Sequence, residues 1–448
     1  MGVESASGPP TAFSAVRSGS RTLAAPLSQS VRAMTIQMFS VLVLVLVFGL
    51  ATVLPLNMGA LALAATFFVG VLGMGLSTKE IFAGFPGDLF VTLVGVTYLF
   101  AVAQRNGTVD WIVERAVAGV GGHVAAIPWV MFLVAALLTA FGALGPAAVA
   151  ILAPVALTFA AQYKISPLMM GLMVIHGAQA GGFSPISVYG GIVNGLMAKA
   201  MIAPAPLQIF AASLLFNLAI AAGLFAGLGG LRLGARSAPL LPEPTTVISH
   251  MNLHRALTLA GLLLLCVGAL AFKLNVGLLA VVLAVALSLL APTFQKGAID
   301  KVSWSTVLLI CGVITYVEIM QKAGAVDQVG AAISGLDSPL LAALLLCFTG
   351  AIVSAFASST ALLGAVIPLA IPFLAQGRIG AVGVIAAIAV CTTIVDTSPF
   401  STNGALVVAN ASEAERDKVM RGLLLYSAGI VALGPVIAWL VLIVPGWL

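Results

Sequence analysis

Two short motifs place proline, glycine and hydroxyl-bearing residues in the middle of long apolar segments. They read Ser-Pro-Ile-Ser-Val-Tyr-Gly over 184–190 and Ser-Pro-Phe-Ser-Thr-Asn-Gly over 398–404. Proline removes a backbone donor from a helix and glycine tolerates non-helical angles, so each motif predicts an interrupted helix. Because freed backbone groups cannot face lipid, the interruptions should line a cavity inside the protein. Matching interruptions in two halves of a membrane protein indicate a transporter's binding site.

The interrupted helices offer chemistry that suits a small dianion together with a cation. A half-helix N-terminus presents unpaired N–H groups and a partial positive charge. The hydroxyls of Ser187, Ser401 and Thr402 and the amide of Asn403 add neutral donors. Unwound carbonyls and half-helix C-termini favour a cation. Since no lysine or arginine lies inside a predicted span, neutral donors would hold the anion.

Asp396 is the one acidic residue that falls deep within a predicted span. A charged group there costs about 3 kcal/mol on insertion scales and marks a functional residue by default. We interpret it as a cation ligand or a proton carrier. The alternative is an aspartate that caps the half-helix or bonds locally to Ser398.

Three further residues have two interpretations each. His176 either faces the cavity as a pH-sensitive donor or packs between helices, bonded to a neighbour. Tyr189, which aligns with Asn403, either flanks the substrate or packs as an ordinary aromatic residue. Glu318 either snorkels to the membrane interface or takes part in proton coupling.

The composition predicts an α-helical membrane protein with many spans. Of 448 residues, 61% are hydrophobic and 7% are charged, and many apolar runs approach the ~20 residues that cross a bilayer. A transmembrane β-barrel would show short alternating strands instead. The net charge of +5 reflects loop lysines and arginines, so no nucleic-acid partner is implied. The four cysteines lie apart in apolar runs, which indicates neither a disulfide nor a metal site.

The apolar runs before residue 232 form a first set of elements. Full spans are predicted over 36–54, 58–77, 88–104 and 206–231, with an amphipathic interfacial segment over 109–124. The block 126–161 is interrupted at Gly142–Pro146, and its arms are short for a crossing. It therefore predicts a re-entrant hairpin, with two ordinary short helices as the alternative. The first motif interrupts the helix predicted over 167–197.

The same order returns after a polar linker, which indicates an internal repeat. The second set comprises spans at 256–272, 275–292, 305–322 and 422–445, an interfacial piece at 325–336, an interrupted block at 339–375 and a broken helix at 381–409. Leu56-Asn57 recurs as Leu274-Asn275, 218 positions later, and Ser184 recurs as Ser398, 214 positions later. Such a register is not expected by chance.

Each repeat would hold five full spans and one hairpin, and an odd number of crossings places the halves in opposite orientations. The predicted fold is an all-α polytopic membrane protein with about ten transmembrane helices. Two re-entrant hairpins and two inverted-topology repeats complete it, with the broken helices at the midplane. The predicted domains are a disordered tail at 1–33, a first repeat at 34–231, a cytoplasmic linker at 232–255 and a second repeat at 256–448.

The positive residues predict the orientation in a bacterial inner membrane. They concentrate in the loops that face inward if the first span starts outside, so both termini should be periplasmic. Three tail arginines (Arg17, Arg21 and Arg32) oppose this orientation, and Met34 directly precedes the first apolar run. We therefore favour the interpretation that residues 1–33 do not belong to the native chain, with a transit peptide or a disordered tail as the alternatives.

Three stretches of the chain together resemble a known family. They are Gly-Gly-Phe-Ser-Pro-Ile-Ser at 181–187, Ser-Ser-Thr-Ala-Leu-Leu-Gly at 358–364 and Asp-Thr-Ser-Pro-Phe-Ser-Thr-Asn-Gly-Ala at 396–405. They look like the MatC-type malonate/dicarboxylate carriers, within the ion transporter superfamily, and are similar to divalent-anion:sodium symporters. The resemblance covers the chain from Met34 onward. It implies hairpin tips with Ser-Asn-Thr motifs that bind carboxylates and sodium, completed by the unwound helices.

Carried over to this sequence, the resemblance implies one well-supplied tip and one depleted tip. Ser358-Ser359-Thr360 matches the second hairpin tip, with serine in place of asparagine, whereas the first tip reads Ala143-Leu144-Gly145 and lacks polar side chains. The implied substrate-binding residues are Ser184, Ser187, Tyr189, Ser358, Ser359, Thr360, Ser398, Ser401, Thr402 and Asn403. The implied coupling-cation site comprises Asp396, Ser358 and Thr360.

The predicted function is cation-coupled symport of a small dicarboxylate, malonate or a four-carbon acid, by alternating access. The coupling cation is Na⁺ or H⁺, no other cofactor is expected, and a homodimer in the lipid bilayer is compatible with this reading. The alternatives are a cation/proton antiporter or a transporter for another anion of the same superfamily, and a passive channel. A membrane enzyme is disfavoured because Asp396 is its one candidate catalytic group.

Overall fold

The computed structural model describes residues 24–54, 56–120, 123–235, 250–328, 338–355, 359–375 and 377–446. Within these ranges the regular elements are helices. The first half contains α1 (Ala24–Val53), α2 (Met58–Thr66, continued by a π-helical turn at Phe67–Gly73), α3 (Thr78–Phe82), α4 (Gly87–Arg105), α5 (Thr108–Ala118), α6 (Ala126–Ala140), α7 (Gly145–Gln162), α8 (Pro167–Gly181), α9 (Val188–Lys199) and α10 (Pro206–Gly227). The second half contains α11 (Leu253–Leu270), α12 (Val276–Leu290), α13 (Pro292–Gln295), α14 (Trp304–Lys322), α15 (Pro339–Ser354), α16 (Ser359–Leu374), α17 (Ala381–Ile394), α18 (Thr402–Asn410) and α19 (Glu413–Ala438, continued by a π-helical turn at Trp439–Ile443).

The protein is a multi-pass helical membrane protein. In the described part of the chain, six helices are long and apolar enough to cross a membrane: α4, α7, α10, α11, α14 and α19 with its π-helical turn. Helix α7 has 18 residues, or about 27 Å of helix, just under the ~20 residues that cross a bilayer. Its counterpart α16 has 16 residues. The two blocks are interrupted where the sequence predicts, between α6 and α7 and between α15 and α16.

The helix starts explain part of the internal repeat. Asn57 is the N-cap residue of α2, and its side-chain oxygen accepts a hydrogen bond from the Gly59 N–H at 2.9 Å. Asn275 caps α12 in the same way and accepts from the Leu278 N–H at 2.9 Å. A side-chain cap satisfies one of the free donors in a first helical turn. The recurring Leu-Asn pair is therefore a repeated helix start.

Two equivalent crossings join the halves through glycine. Helix α2 packs against α14 and helix α4 packs against α12. Gly59 of α2 lies against the backbone of Gly312 in α14, and Gly277 of α12 lies against the backbone of Gly95 in α4. Small residues allow such close approach where lipid supplies no hydrophobic driving force between helices. These crossings hold the helices that flank the broken ones.

A different set of helices surrounds the two breaks. Helix α8 packs against α6, α7 and α10, and helix α17 packs against α15, α16 and α10. The α6–α8 contact is close because Gly177 and Gly181 lie directly against the α6 backbone. In the second half, the Ser354 hydroxyl at the end of α15 donates to the Thr392 carbonyl oxygen of α17 at 2.5 Å. Each broken helix is thus fixed by its neighbouring hairpin.

A short capped helix lies between α2 and α4, outside the spans. In α3, the Glu80 carboxylate accepts hydrogen bonds from the Ser77 N–H at 2.8 Å and from the Ser77 hydroxyl at 2.7 Å. These bonds hold the pKa of the Glu80 carboxyl below its usual value. The reciprocal arrangement is a capping box.

Some predicted boundaries differ from the structure. Helix α1 begins at Ala24, so its winding extends into the segment that was expected to be a disordered tail. Helix α19 begins at Glu413 rather than near 422, because its acidic first turn, with Glu413 and Glu415, complements the positive end of the helix dipole. Most of the linker (236–249) and of the second interfacial piece (329–337) lies outside the described residues.

Candidate functional site

The first break, between α8 and α9, is closed by a serine. Ser187 is the N-cap residue of α9, and its hydroxyl accepts from the Gly190 N–H at 3.1 Å. The same hydroxyl lies 2.5 Å from the carbonyl oxygen of Gly182 and 2.7 Å from that of Ser184. Its single proton is therefore donated to main-chain carbonyls within the break. The serine holds the unwound residues in one conformation.

The second break, between α17 and α18, repeats this arrangement bond for bond. Ser401 is the N-cap residue of α18, and its hydroxyl accepts from the Gly404 N–H at 3.3 Å. It lies 2.6 Å from the carbonyl oxygen of Asp396 and 2.7 Å from that of Ser398. Every partner lies 214 positions after its counterpart in the first break. The two motifs therefore encode the same local structure.

The glycines of the motifs are required by close approach. A Cβ at Gly190 would overlap the carbonyl oxygen of Ser184, and a Cβ at Gly404 would overlap that of Ser398. Both glycines have ordinary helical backbone angles, so it is the missing side chain that matters here. Each motif folds the chain back onto its own unwound carbonyl.

The predicted hydroxyl donors are mostly engaged within the protein. Ser184 donates to the carbonyl oxygen of Ala140, at the end of α6, at 2.5 Å. Ser187 and Ser401 donate inside their own breaks. The Ser398 hydroxyl accepts from the backbone at 3.3 Å. In this conformation, the serine protons of the breaks mainly shape the binding region, which leaves first-turn backbone N–H groups as donors for an anion.

Each hairpin tip meets the broken helix of the other half. Helix α7 packs against α18, and helix α16 packs against α9. At the first tip, the Asn403 side-chain nitrogen lies 3.6 Å from where a Cβ on Gly145 would stand. At the second tip, the Thr360 hydroxyl donates to the Tyr189 hydroxyl oxygen at 3.4 Å. Residues from both halves therefore build each end of the site.

The second tip gathers three hydroxyl-bearing side chains near the Asp396 carboxylate. The Asp396 carboxylate, which is partly exposed, accepts a hydrogen bond from the Ser359 side chain. The Tyr189 side chain lies near Asp396. The Ser359 hydroxyl lies 2.8 Å from that of Ser354. We call Tyr189, Ser359, Thr360 and Asp396 the second-tip cluster; its carboxylate and hydroxyl oxygens suit a hard cation.

The first tip has few such groups. The positions 214 residues before or after those of the second-tip cluster are Asn403, Gly145, Pro146 and Gly182, and we call these four the first-tip cluster. Asn403 is their only polar side chain. It is 2% exposed, and its side-chain oxygen has no hydrogen-bond partner among the described residues. The two halves therefore share a backbone design and differ in side-chain chemistry.

The remaining predicted residues divide between exposed and undescribed positions. Thr402, the first residue of α18, is exposed. Ser358, assigned from the resemblance to both the substrate and the cation site, lies outside the described residues. Its role stays a prediction.

His176, on α8, packs against α10 and α19. Its Nδ1 lies 2.8 Å from the Asn217 side-chain oxygen of α10, and its Nε2 lies 2.6 Å from the Tyr426 hydroxyl of α19. The residue is fully buried. The interpretation as a packing histidine bonded to its neighbours is confirmed.

Gln179 was not identified from the sequence. It lies in the last turn of α8, is 3% exposed, and has no partner for either amide atom among the described residues. Its main-chain carbonyl accepts hydrogen bonds from the Ser213 hydroxyl at 3.1 Å and from the Gly182 N–H at 3.2 Å. An amide three residues before a glycine-rich break in an apolar helix was the available signal.

Glu318 has a partner that neither interpretation named. It forms an ion pair with Lys199, at the end of α9, with an N–O distance of 2.6 Å. The side chains are 22% and 45% exposed, respectively. The pair joins the first broken helix to α14, beside a cavity of about 170 Å³.

A large apolar groove lies apart from the breaks. It has a volume of about 590 Å³ and runs between α10 and α19. Its walls include Leu207, Phe216, Ile430 and Val441. Gln208 is the one polar side chain in this lining, so the groove offers a carboxylate few donors and the breaks remain the candidate site.

Sequence comparison bears on the same region. Residues 34–182 match the family model described as dicarboxylate carrier protein MatC N-terminus. The match ends at Gly182, the first unwound residue after α8. The resemblance noted for the whole of 34–448 is thus matched over the first part of that range. No curated protein sequence matches the chain.

Structural comparison finds the same fold in a solved transporter. The chain is similar to the crystal structure of the Alcanivorax borkumensis YdaH transporter, with a TM-score of 0.54 and 15% sequence identity. The alignment covers 91% of this chain and 98% of that chain. At this identity the likeness concerns the fold alone.

Proposed function

We propose that the protein is a secondary transporter of small dicarboxylates. The observation that carries the proposal is the pair of equivalent breaks, each with a serine-capped half-helix that meets the hairpin tip of the other half. The match of residues 34–182 to a dicarboxylate carrier family supports the substrate class. The fold shared with a solved transporter supports the reaction.

The half-helix starts supply the anion site in this proposal. The first turns of α9 and α18 each present several backbone N–H groups, and their capping serines occupy one in each case. The positive ends of both half-helices add favourable electrostatics for carboxylates. A dicarboxylate with one carboxylate at each start would use both breaks together, which a monocarboxylate cannot do.

The second-tip cluster supplies the cation site. Asp396 contributes the one negative charge, and Ser359 and Thr360 contribute hydroxyl oxygens. The equivalent first-tip cluster has Gly182 in place of Asp396, so the two ends are not equal in charge. We propose symport of the dicarboxylate with Na⁺ or H⁺ bound at this cluster.

Alternating access follows from the repeat. The halves are proposed to be inverted repeats with the breaks at the midplane, both hairpins re-entrant, and both termini on the periplasmic side of a bacterial inner membrane. The cross-half contacts of α7 with α18 and of α16 with α9 support this arrangement, because exchanging the halves interconverts them. The hairpins and broken helices would move together against the α2–α14 and α4–α12 crossings.

Uptake into proteoliposomes tests the proposal. Proteoliposomes that contain the purified protein and are loaded with unlabelled malonate should take up labelled malonate in exchange. An inward sodium or proton gradient should drive accumulation of malonate above equilibrium. A panel of three- and four-carbon dicarboxylates and matched monocarboxylates defines the substrate class. Absence of uptake for every dicarboxylate would refute the proposal, and flux that never saturates would indicate a channel. Accumulation driven by an opposed cation gradient would indicate an antiporter.

A further inference from the structure

Gln179 is a buried amide in the last turn of α8, just before the first break. It is 3% exposed, and both its side-chain oxygen and its side-chain nitrogen are unpaired among the described residues. Buried polar side chains are nearly always hydrogen-bonded, because removing them from water without a new partner is unfavourable. An amide left unpaired on both sides suits a ligand that offers an acceptor to its nitrogen and a donor or a cation to its oxygen.

The position of Gln179 on α8 sets which neighbouring helices it faces. Gly171, eight residues earlier on the same helix, lies against Val407 of α18, and His176 faces α10 and α19. At 100° per residue, Gln179 lies about 80° around the helix from Gly171, between these two faces. Gln179 is in the last turn of α8, three residues before Gly182 of the first-tip cluster.

The residue equivalent to Gln179 in the second half has its hydrogen bonds satisfied. The equivalent residue, 214 positions later, is Thr393, whose hydroxyl donates to the carbonyl oxygens of Ala389 and Val390 at 3.0 and 3.1 Å. That position is satisfied within its own helix and stands one turn before Asp396. In the first half, Gly182 stands at the position of Asp396 and has no side chain. The nearby polar side chain is Gln179, one turn earlier, at the position of Thr393.

We propose that Gln179 contacts the cargo in the first half: its amide nitrogen donates to a substrate carboxylate, and its amide oxygen is a ligand of a monovalent cation. The C-terminal end of α8 favours that cation through its partial negative charge. The residue would thus compensate for the polar side chains missing from Ala143-Leu144-Gly145. This inference rests on the proposed transport of dicarboxylates.

Ligand-induced thermal stabilisation and uptake test the role of Gln179 directly. In detergent, malonate and sodium should raise the unfolding temperature of the wild-type protein. Gln179→Met removes both amide atoms at similar length. It should unfold at or above the wild-type temperature without ligand, because an unpaired buried amide has been removed, and should lose the shift with malonate and sodium. Gln179→Glu keeps the oxygen ligand and loses the donor, so its KM for malonate should rise at least about tenfold while its half-saturating sodium concentration does not rise.

Thr393→Val is the matched control, since the hydroxyl it removes bonds only within its own helix. It should keep the wild-type shift with malonate and sodium. A Gln179→Met protein that keeps the ligand-induced shift, or that unfolds several degrees below wild type without ligand, would overturn the inference and assign Gln179 a structural role. If the wild-type protein itself shows neither uptake nor a shift with any dicarboxylate, the proposed function fails first and this inference fails with it.

Discussion

The motif glycines provide the sharpest test of the break geometry. In Gly190→Ala the new methyl group would overlap the carbonyl oxygen of Ser184, and in Gly404→Ala it would overlap that of Ser398. The obstacle is main chain in both cases, so a side-chain rotation cannot relieve it. The carbonyl must move, and with it the hydrogen bond that it accepts from the capping serine.

The expected cost follows from two opposing effects. Overpacking costs about 1–3 kcal/mol, and a fixed main-chain neighbour places these sites at the upper end. Replacing glycine by alanine in a helix returns up to about 1 kcal/mol. Each variant should therefore be destabilised by about 2 kcal/mol, and the two should be equal, because the bonds around Gly190 and Gly404 are the same.

Thermal unfolding in detergent measures the effect, together with dicarboxylate uptake at matched protein levels. Gly223→Ala in α10 and Gly429→Ala in α19 are the controls, since no heavy atom lies within 4 Å of a Cβ at either position. These controls should be as stable as wild type or slightly more so, with normal uptake. Wild-type stability and uptake in Gly190→Ala would refute the close approach, and unequal effects at Gly190 and Gly404 would refute the equivalence of the breaks.

Three further predictions concern side chains at the second tip and the nearby ion pair. Asp396→Asn should abolish cation-driven accumulation while the folded protein remains in the membrane, because the one negative charge of the cluster is lost; normal accumulation would remove Asp396 from the mechanism. Tyr189→Phe removes a hydroxyl that meets the second tip, so the half-saturating cation or substrate concentration should rise about two- to tenfold. A double-mutant cycle on Lys199 and Glu318 should give a coupling of less than about 1 kcal/mol in unfolding free energy, since Lys199 is 45% exposed; a larger coupling would show that the pair is shielded from solvent.

Local features of the fold were predictable from the sequence. Prolines, glycines and capping residues act within one turn of chain, so the breaks near 184 and 398 and the interruption at 141–144 appear where the residues predict. The two Leu-Asn pairs both start helices, and the two Ser-Pro motifs both lie in breaks, as the sequence repeat predicts. Helix ends were less certain: α19 begins at Glu413, before the apolar run, because polar residues also form helix outside lipid.

The functional interpretation of single hydroxyls was less predictable. Ser187 and Ser401 have the residue type expected of a substrate donor, yet each donates its proton to carbonyls in its own break. A hydroxyl has one proton, and which acceptor receives it depends on the local backbone path. The same limit applies to Gln179, whose unpaired amide is visible only after every neighbour has been placed.

By itself, the sequence determined that this is a polytopic helical membrane protein with two equivalent interrupted helices, since apolar length, proline and glycine act over short distances along the chain. Only the tertiary structure decided which tip meets which break. Tyr189 and Thr360 are 171 residues apart in the chain, and their hydroxyl oxygens lie 3.4 Å apart. Asn403 of the second half lies beside Gly145 of the first half. Such contacts depend on how the halves pack against each other, and no local residue pattern encodes that packing.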